Sequence, residues 1–333
     1  MIQMRFYSGQ GLGNQLWVYA AGRALAEYHQ TTFSVIDKEL FKGSTFLDID
    51  ACAGSEATEH ESDQQGTESR AIFKERLFYD KELRYYASTY DKRVEIISGS
   101  TIIEGLYQSE KYLFSNLSRL RNWIRLKEEY MARSKYYNDK CIINVRGGEY
   151  KRHGFLILPK SYWLNAINNM NRAFGIKDFL IVTDDKPYAS RLLPGIPVLD
   201  GSIGDCYSAL YGAGYLIVSN SSFSYFPIKT RIDKPPVIAP FLWSRPFNKE
   251  QRWASPANFY KDWTWQTIDG VLVNEDICQK IVDKTTLYYA NSLNISTTDE
   301  ALRTNYGWPR YIPKKIRNIT KKCLSALFPM RIG

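Results

Sequence analysis

Short apolar runs alternate with helix-length segments through most of the chain, and no other feature narrows the choice of fold so far. Cys141-Ile142-Ile143-Asn144-Val145, Phe179-Leu180-Ile181-Val182, Tyr215-Leu216-Ile217-Val218 and Pro236-Val237-Ile238-Ala239 read as strands, the last of them closing the series. Between them, spacing predicts helices over Tyr162 to Phe174 and Cys206 to Gly212. Short continuous apolar strands that alternate with helices call for a parallel sheet covered on both faces. The opening of the chain carries the same theme. Met4 to Tyr7 is extended, Gly9, Gly11 and Gly13 mark a turn, and Asn14 is placed to cap a helix. Leu16, Tyr19, Ala20, Arg23, Ala24 and Tyr28 recur at helical spacing, and Thr32 to Asp37 reads as the next strand, completing a βαβ unit. Arg93 to Ile97 and Thr101 to Glu104 are further strand candidates, followed by a charged helical stretch at 110–135. The expectation is an α/β chain of two Rossmann-like halves facing across a cleft, residues 1–137 and 138–270, with a helical extension over 271–333.

Composition excludes several classes. With 333 residues, 44% hydrophobic and 24% charged, the chain can build full-sized cores and is neither disordered nor fibrous. No run approaches the ~18 apolar residues of a membrane span, and Met1 to Tyr7 holds no apolar signal core, so a cytoplasmic protein is expected. The polar run 53–70 reads as a loop. Five scattered cysteines (Cys52, Cys141, Cys206, Cys278, Cys323) form no C-x-x-C pair, which fits buried thiols in a reducing compartment. In that setting the N-x-S/T triplets at Asn116, Asn220, Asn294 and Asn318 are chance matches.

Most of the net charge of +9 sits in one place. Residues 301–333 contain Arg303, Arg310, Lys314, Lys315, Arg317, Lys321, Lys322 and Arg331 and no acid, so the rest of the chain is almost neutral. A basic body that grips nucleic acid is therefore not expected.

Polar clusters stand at the ends of the expected strands. Gly9, Gly11 and Gly13 would let backbone N–H groups approach a ligand, and Asp37 imitates the ribose-binding acid of a dinucleotide fold. Position 14 is Asn rather than the last glycine of G-x-G-x-x-G, which counts against a dinucleotide-dependent oxidoreductase. Asn144-Val145-Arg146-Gly147-Gly148-Glu149-Tyr150 puts an arginine and two glycines after a strand, a pattern suited to phosphate. Thr183-Asp184-Asp185 follows another strand and suits a metal, a ribose or a helix cap. Ser219-Asn220-Ser221-Ser222-Phe223-Ser224 follows a third and suits a pyrophosphate or an ordinary helix start. His29, His60 and His153 have no metal-ligand spacing.

Taken in order, these clusters resemble the α-1,2-fucosyltransferases, glycosyltransferase family 11. Gly11-Leu12-Gly13-Asn14-Gln15-Leu16-Trp17-Val18-Tyr19-Ala20 with Gly22 to Ala26 is similar to that family's opening, and Gly105 to Tyr112, which contains Gln108, to its second signature. Asn144 to Tyr150 takes the place of its H-x-R-R-x-D-Y motif, and Thr183 to Asp185, Asp205 with Ser219 to Ser224, and Ile238-Ala239-Pro240 with Trp243 resemble the downstream blocks. The resemblance spans roughly residues 5–265. It implies a GT-B architecture and an inverting transfer of fucose from GDP-fucose to a glycan hydroxyl, with no metal or other cofactor. On the same resemblance Arg146 stabilises the departing diphosphate. Asn144, Gly147, Gly148, Asp184, Asp185, Asp205, Asn220, Ser221, Ser222 and Ser224 hold the nucleotide sugar. Gly11, Gly13, Asn14, Gln15 and Gln108 line the acceptor side. The chain departs from the family where Asn144 replaces its histidine, Gly147 its second arginine and Glu149 its aspartate, which leaves room for another donor or for an inactive glycan-binding homologue. Glu149 is a candidate base.

Ile312, Ile316, Ile319, Cys323 and Leu327 share one helical face, with Lys314, Lys315, Arg317, Lys321 and Lys322 around it. Such a helix suits an anionic membrane surface and points to a lipid-linked acceptor, in lipopolysaccharide (O-antigen) or capsule assembly on the inner face of the cell membrane.

Overall fold

The computed structural model describes residues 1–54, 71–243, 250–291 and 295–297. The 55–70 stretch, His60, Asn294, Asn318, Cys323 and the basic residues Lys314, Lys315, Arg317, Lys321 and Lys322 lie outside the described residues.

The opening βαβ unit forms from strand β1 (Ile2–Arg5), helix α1 (Leu12–Tyr28) and strand β2 (Phe33–Ile36), with Ile2 beside Phe33 in a parallel register. The helix begins before the expected cap: Gly11 holds the N-cap position with no side-chain cap bond, and Asn14 is buried inside the first turn. Every residue from Leu12 to Ala26 is buried, so α1 is covered on all sides rather than along one stripe. Strands β3 (Leu47–Ile49) and β4 (Cys52–Ala53) follow, then β5 (Ala71–Lys74), a hairpin of β6 (Arg76–Asp80) and β7 (Tyr85–Ala87), and β8 (Thr101–Glu104). The first sheet runs β4-β2-β1-β8-β5, parallel except at β4.

The expected strand at 93–97 is instead a 3-10 turn over Lys92–Ile96. Asp91 imposes it: its carboxylate accepts from the Arg93 backbone N–H at 3.1 Å and from the Arg93 Nε at 3.0 Å, and also from the Arg76 N–H at 3.0 Å. The 110–135 stretch breaks into short pieces, among them α2 (Leu120–Trp123), β9 (Ile124–Leu126) and α3 (Glu128–Ser134), and β9 pairs with β3.

The second half begins with β10 (Cys141–Val145), buried at all five positions. It continues through α4 (Lys160–Phe174), β11 (Phe179–Thr183), α5 (Lys186–Leu192), α6 (Ile203–Gly212), β12 (Tyr215–Val218), α7 (Tyr225–Lys229) and β13 (Val237–Pro240). The strand series does not close there, because β14 (Thr264–Gln266) pairs parallel with β13, and β15 (Leu272–Val273) antiparallel with β14. The sheet order is β11-β10-β12-β13-β14-β15. Helix α8 (Glu275–Asn291) then leads back to the first half, where β16 (Ile295–Thr297) pairs with β6. The chain is thus an α/β protein of the GT-B type, two mainly parallel sheets with helices around them and a cleft between.

The halves share one core. Trp17 of α1 stacks on Tyr225 of α7 at 4.2 Å between ring centroids and meets Phe226 edge-on at 5.2 Å. Tyr260 lies 4.6 Å from Tyr225, and the apolar cluster continues through Trp263 and Trp265. Such ring pairs contribute ~0.5–1.5 kcal/mol each beyond the area they bury.

Candidate active site

A cavity of about 230 Å3 opens where the ends of β10 and β12 meet the start of α1. Strand ends of an open parallel sheet leave such a crevice, and the side chains just beyond them face it.

Arg146 follows β10 directly. The next two residues are glycines in close quarters: a Cβ on Gly147 would fall 2.6 Å from the Tyr188 ring, and one on Gly148 would displace the Asp184 carboxylate. That closeness lets Asp184 accept from the Gly147 N–H at 2.9 Å and pair with Arg146 Nη1 at 3.0 Å. Glu149 accepts from Arg146 Nη2 at 3.1 Å, and the guanidinium stands 5.5 Å from the centre of the Tyr150 ring. Burial works against the charge of Arg146, but the neighbouring Asp184 carboxylate, with Glu149, more than offsets it and holds the pKa above its ordinary value. Arg146 Nε is buried with no hydrogen-bond partner among the described residues. Tyr150 donates to the Asn220 carbonyl at 3.1 Å, and burial pushes its hydroxyl up to about 12.

The serine block follows β12. Ser221 caps a 3-10 turn over Ser222–Ser224 by accepting from the Phe223 N–H at 3.3 Å. Ser222 donates to Asn14 Oδ1 at 2.9 Å, across the junction of the halves. The same oxygen accepts from Gln108 Nε2 at 2.6 Å, and Gln108 Oε1 accepts from Ser88 at 3.1 Å. A hydrogen-bonded ribbon from Ser88 to Ser222 therefore runs through the lining of the cavity. Gly13 permits it, since a Cβ there would lie 2.5 Å from the carbonyl carbon of Ser222.

Of the residues singled out in the sequence, Gly11, Gly13, Asn14, Gln108, Arg146, Glu149, Asn220, Ser221 and Ser222 meet in this lining. The others stand behind it. Asn144 is buried and accepts from Ser219 at 3.2 Å. Gly147 and Gly148 shape the turn, and Asp184 holds Arg146 from outside the lining. Asp185 caps α5 through the Tyr188 N–H at 3.1 Å and pairs with Lys151, which keeps its carboxyl below the usual range. Asp205 forms a capping box with Ser202 and an ion pair with Arg133 at 2.7 Å. Ser224 is buried and donates to the Ser221 carbonyl at 3.0 Å. Gln15 spans the Leu40 carbonyl and the Lys42 N–H at 2.8 and 2.9 Å, fixing the segment that brings Lys42 to the cavity. Asp37 pairs with Arg5 at 3.1 Å and does not reach the cavity.

Sequence reasoning missed the wall made by Tyr85, Tyr86 and Ser88, and the group Arg152, His153, Leu156, Ser255 and Asn258. Tyr85 meets His153 and Phe155 edge-on at 5.8 and 5.2 Å, joining the hairpin to the turn beyond Glu149. The signal for that hairpin was present in Arg76-Leu77-Phe78-Tyr79-Asp80 and Tyr85-Tyr86-Ala87 around the polar Lys81 to Arg84.

Among the described residues no group of three or more His, Cys, Asp or Glu side chains is placed to hold a metal ion, and no helix is long and apolar enough to cross a membrane. The arrangement offers one clamped guanidinium, hydroxyl and amide groups from both halves, and two proton acceptors, Glu149 and His153.

Comparison with protein-family models finds no match, and comparison with curated proteins finds none. Among solved structures, the fucosyltransferase NodZ from Bradyrhizobium is similar at 14% identity over 71% of this chain and 93% of that one, with a TM-score of 0.38. POFUT1 in complex with GDP is similar at 11% identity over 72% and 97%, with a TM-score of 0.45. A glycosyl transferase family 9 structure from Veillonella parvula DSM 2008 is similar at 10% identity over 88% and 96%, with a TM-score of 0.43. These likenesses assign no residue here a role.

Proposed function

We propose that the chain is an inverting, metal-independent glycosyltransferase of the α-1,2-fucosyltransferase type, moving fucose or a related deoxysugar from a GDP-sugar to a glycan hydroxyl. The observation that carries this reading is Arg146, clamped between two carboxylates with its side chain part exposed, beside Ser221 and Ser222 and opposite the start of α1. A diphosphate leaving group needs such fixed positive charge and donors in a partly dry site, where they act most strongly. In the transfer, the acceptor oxygen attacks the anomeric carbon while its proton passes to Glu149. The bond from that carbon to the diphosphate oxygen breaks, and its electron pair goes to the leaving group beside Arg146. Diphosphate binding at Arg146 competes with the Glu149 contact and so releases the carboxylate for its role as base. The sequence of the basic segment around Lys314 to Lys322 supports docking on an anionic membrane, with a lipid-linked glycan of O-antigen or capsule assembly as acceptor.

One observation favours a second reading. Asn144 Oδ1 accepts from Ser219 and the residue stands outside the cavity lining, so the position that carries histidine in the resembled family gives no ground here to prefer GDP over another nucleotide. Thermal stabilisation by GDP, UDP, CMP and dTDP, with and without EDTA, decides between them. A shift with GDP alone, unchanged by EDTA and lost in Arg146→Ala, is expected. A shift with UDP or dTDP selects the second reading, and no shift with any nucleotide points to a glycan-binding homologue without activity.

A further inference from the structure

Among the described residues the cavity lining sets three cations, Lys42, Arg146 and Arg152, against one carboxylate, Glu149. Arg146 takes up that carboxylate at 3.1 Å and the Asp184 carboxylate behind it at 3.0 Å. Arg152 ends the 3-10 turn over Gly148–Arg152 that also carries Glu149, yet Glu149 pairs with Arg146 instead. The Arg152 guanidinium therefore makes no hydrogen bond or ion pair among the described residues. Its residue is exposed and part of the lining, so a ligand in the cavity can reach it. Lys151, by contrast, pairs with Asp185 and stands outside the lining. The proposed transfer uses Arg146 and Glu149 and leaves Arg152 with no task.

The surroundings of Arg152 narrow what it could hold. The turn leads from Arg146, beside the serine block, toward the first half, where His153 meets the Tyr85 ring edge-on at 5.8 Å. Tyr85 and Tyr86 line the cavity and are both part exposed. Lys42 reaches the lining from the first half as well, on the segment that Gln15 fixes. An aromatic ring offers an apolar face that suits the C–H face of a sugar. A guanidinium offers a fork of donors that fits a carboxylate or a phosphate. Arg146 is outnumbered by its two carboxylates, which by themselves would repel an anionic ligand, and the charges of Arg152 and Lys42 offset that repulsion.

We propose that Arg152, with the Tyr85 and Tyr86 rings, forms an acceptor subsite for an anionic sugar, its charge a carboxylate or a phosphate. The proposal rests on the glycosyltransferase reading above and names the class of its acceptor. The donor diphosphate stays with Arg146, Ser221 and Ser222, the acceptor anion goes to Arg152, and Glu149 stands between the two arginines in the chain. No bond is made or broken at Arg152, so it selects the acceptor.

The test applies the labelled full chain, with GDP present, to an array of immobilised glycans in three groups: neutral, bearing uronic or sialic acid, and phosphorylated. GDP affinity is measured separately by calorimetry. The parent is expected to bind one or both anionic groups about 10-fold or more tightly than the neutral one, and the group it prefers tells carboxylate from phosphate. Arg152→Ala should lose about 10-fold or more of that binding, the scale of a charged hydrogen bond, and Arg152→Lys should keep part of it, with GDP affinity within about 2-fold of the parent in both. A preference for neutral glycans, or no anionic glycan bound, would overturn the subsite. Anionic binding that survives in Arg152→Ala would belong to the basic segment 301–333 rather than the cavity, and would overturn it too. An equal loss of GDP affinity in Arg152→Ala would hand the guanidinium to the diphosphate. A parent that binds no GDP, yet loses its anionic glycans in Arg152→Ala, would keep the subsite and refute the transferase reading.

Discussion

Gly13 makes the sharpest test of how the two halves meet. A methyl group built there lies 2.5 Å from the Ser222 carbonyl carbon, 2.6 Å from its oxygen and 2.7 Å from the Phe223 nitrogen. Ordinary contacts are ~3.5–4.0 Å, so Gly13→Ala requires α1 and the serine turn to part by about 1 Å. All three opposing atoms are backbone, which leaves no flexible side chain to swing aside. The same movement takes the Ser222 to Asn14 hydrogen bond, now 2.9 Å, out of range. Overpacking costs ~1–3 kcal/mol and the lost bond ~0.5–1.5 kcal/mol, against ~1 kcal/mol recovered by removing a helical glycine. Taken at the middle of these ranges the net loss is about 2 kcal/mol, a fall in melting temperature of about 4–8 °C at ~2–4 °C per kcal/mol for larger domains. Gly11, two residues earlier, is the control. Its φ is −69°, nothing lies within 4 Å of a built Cβ, and it holds the N-cap, where serine is preferred. Gly11→Ser should therefore match or slightly exceed the parent in a thermal melt. If Gly13→Ala melts within about 2 °C of the parent, the halves are not held together at this contact and the reasoning fails.

Other outcomes follow from particular groups. Glu75 is fully buried and accepts from the Leu106 and Tyr107 N–H groups and the Tyr112 hydroxyl, and burial raises its carboxyl from 4.5 to about 7. The folded chain thus holds this proton more tightly than the unfolded one, so stability falls as pH rises from about 4.5 through about 7, by ~3 kcal/mol in all. Glu75→Gln, which mimics the protonated form, should flatten that slope in melts run from pH 5 to 8; an unchanged slope would locate the titration elsewhere. Glu149→Gln should bind GDP within about 3-fold of the parent yet lose ~100- to 10,000-fold in turnover. Retained turnover would move the base role to His153. Arg146→Lys keeps a charge but not the fork that meets Asp184 and Glu149, and should lose turnover ~100-fold or more.

Strands β10 and β12 were legible in the sequence because their apolar runs are bounded by turns and buried at every position but Tyr215. Val94 and Ile96 misled for the same reason: they look like strand residues, but Ile96 is 81% exposed and Asp91 winds the segment into a turn. Local pattern cannot weigh a carboxylate two residues away that is also claimed by Arg76. At the site, sequence located the strand ends but not the direction of each side chain. Asp184 and Arg146 stand at neighbouring strand ends, and one reaches the cavity while the other only holds it in place. Asn14 was read as a helix cap, and its actual partners, Gln108 and Ser222, are 94 and 208 residues away. Ser255 had no local signal at all, since it follows no strand and belongs to no motif.

The stacking of Trp17 on Tyr225 and the return of β16 to β6 bear on how the chain could be divided. The first half does not close its own apolar surface: one side of α1 is covered by α7 and the Tyr260 to Trp265 segment of the second half. Cut between Tyr137 and Asn138, each fragment would present half of an aromatic interface to water and would aggregate when expressed by itself. Expressed together, the two fragments should find each other and reassemble, since the interface that each lacks is the surface the other exposes.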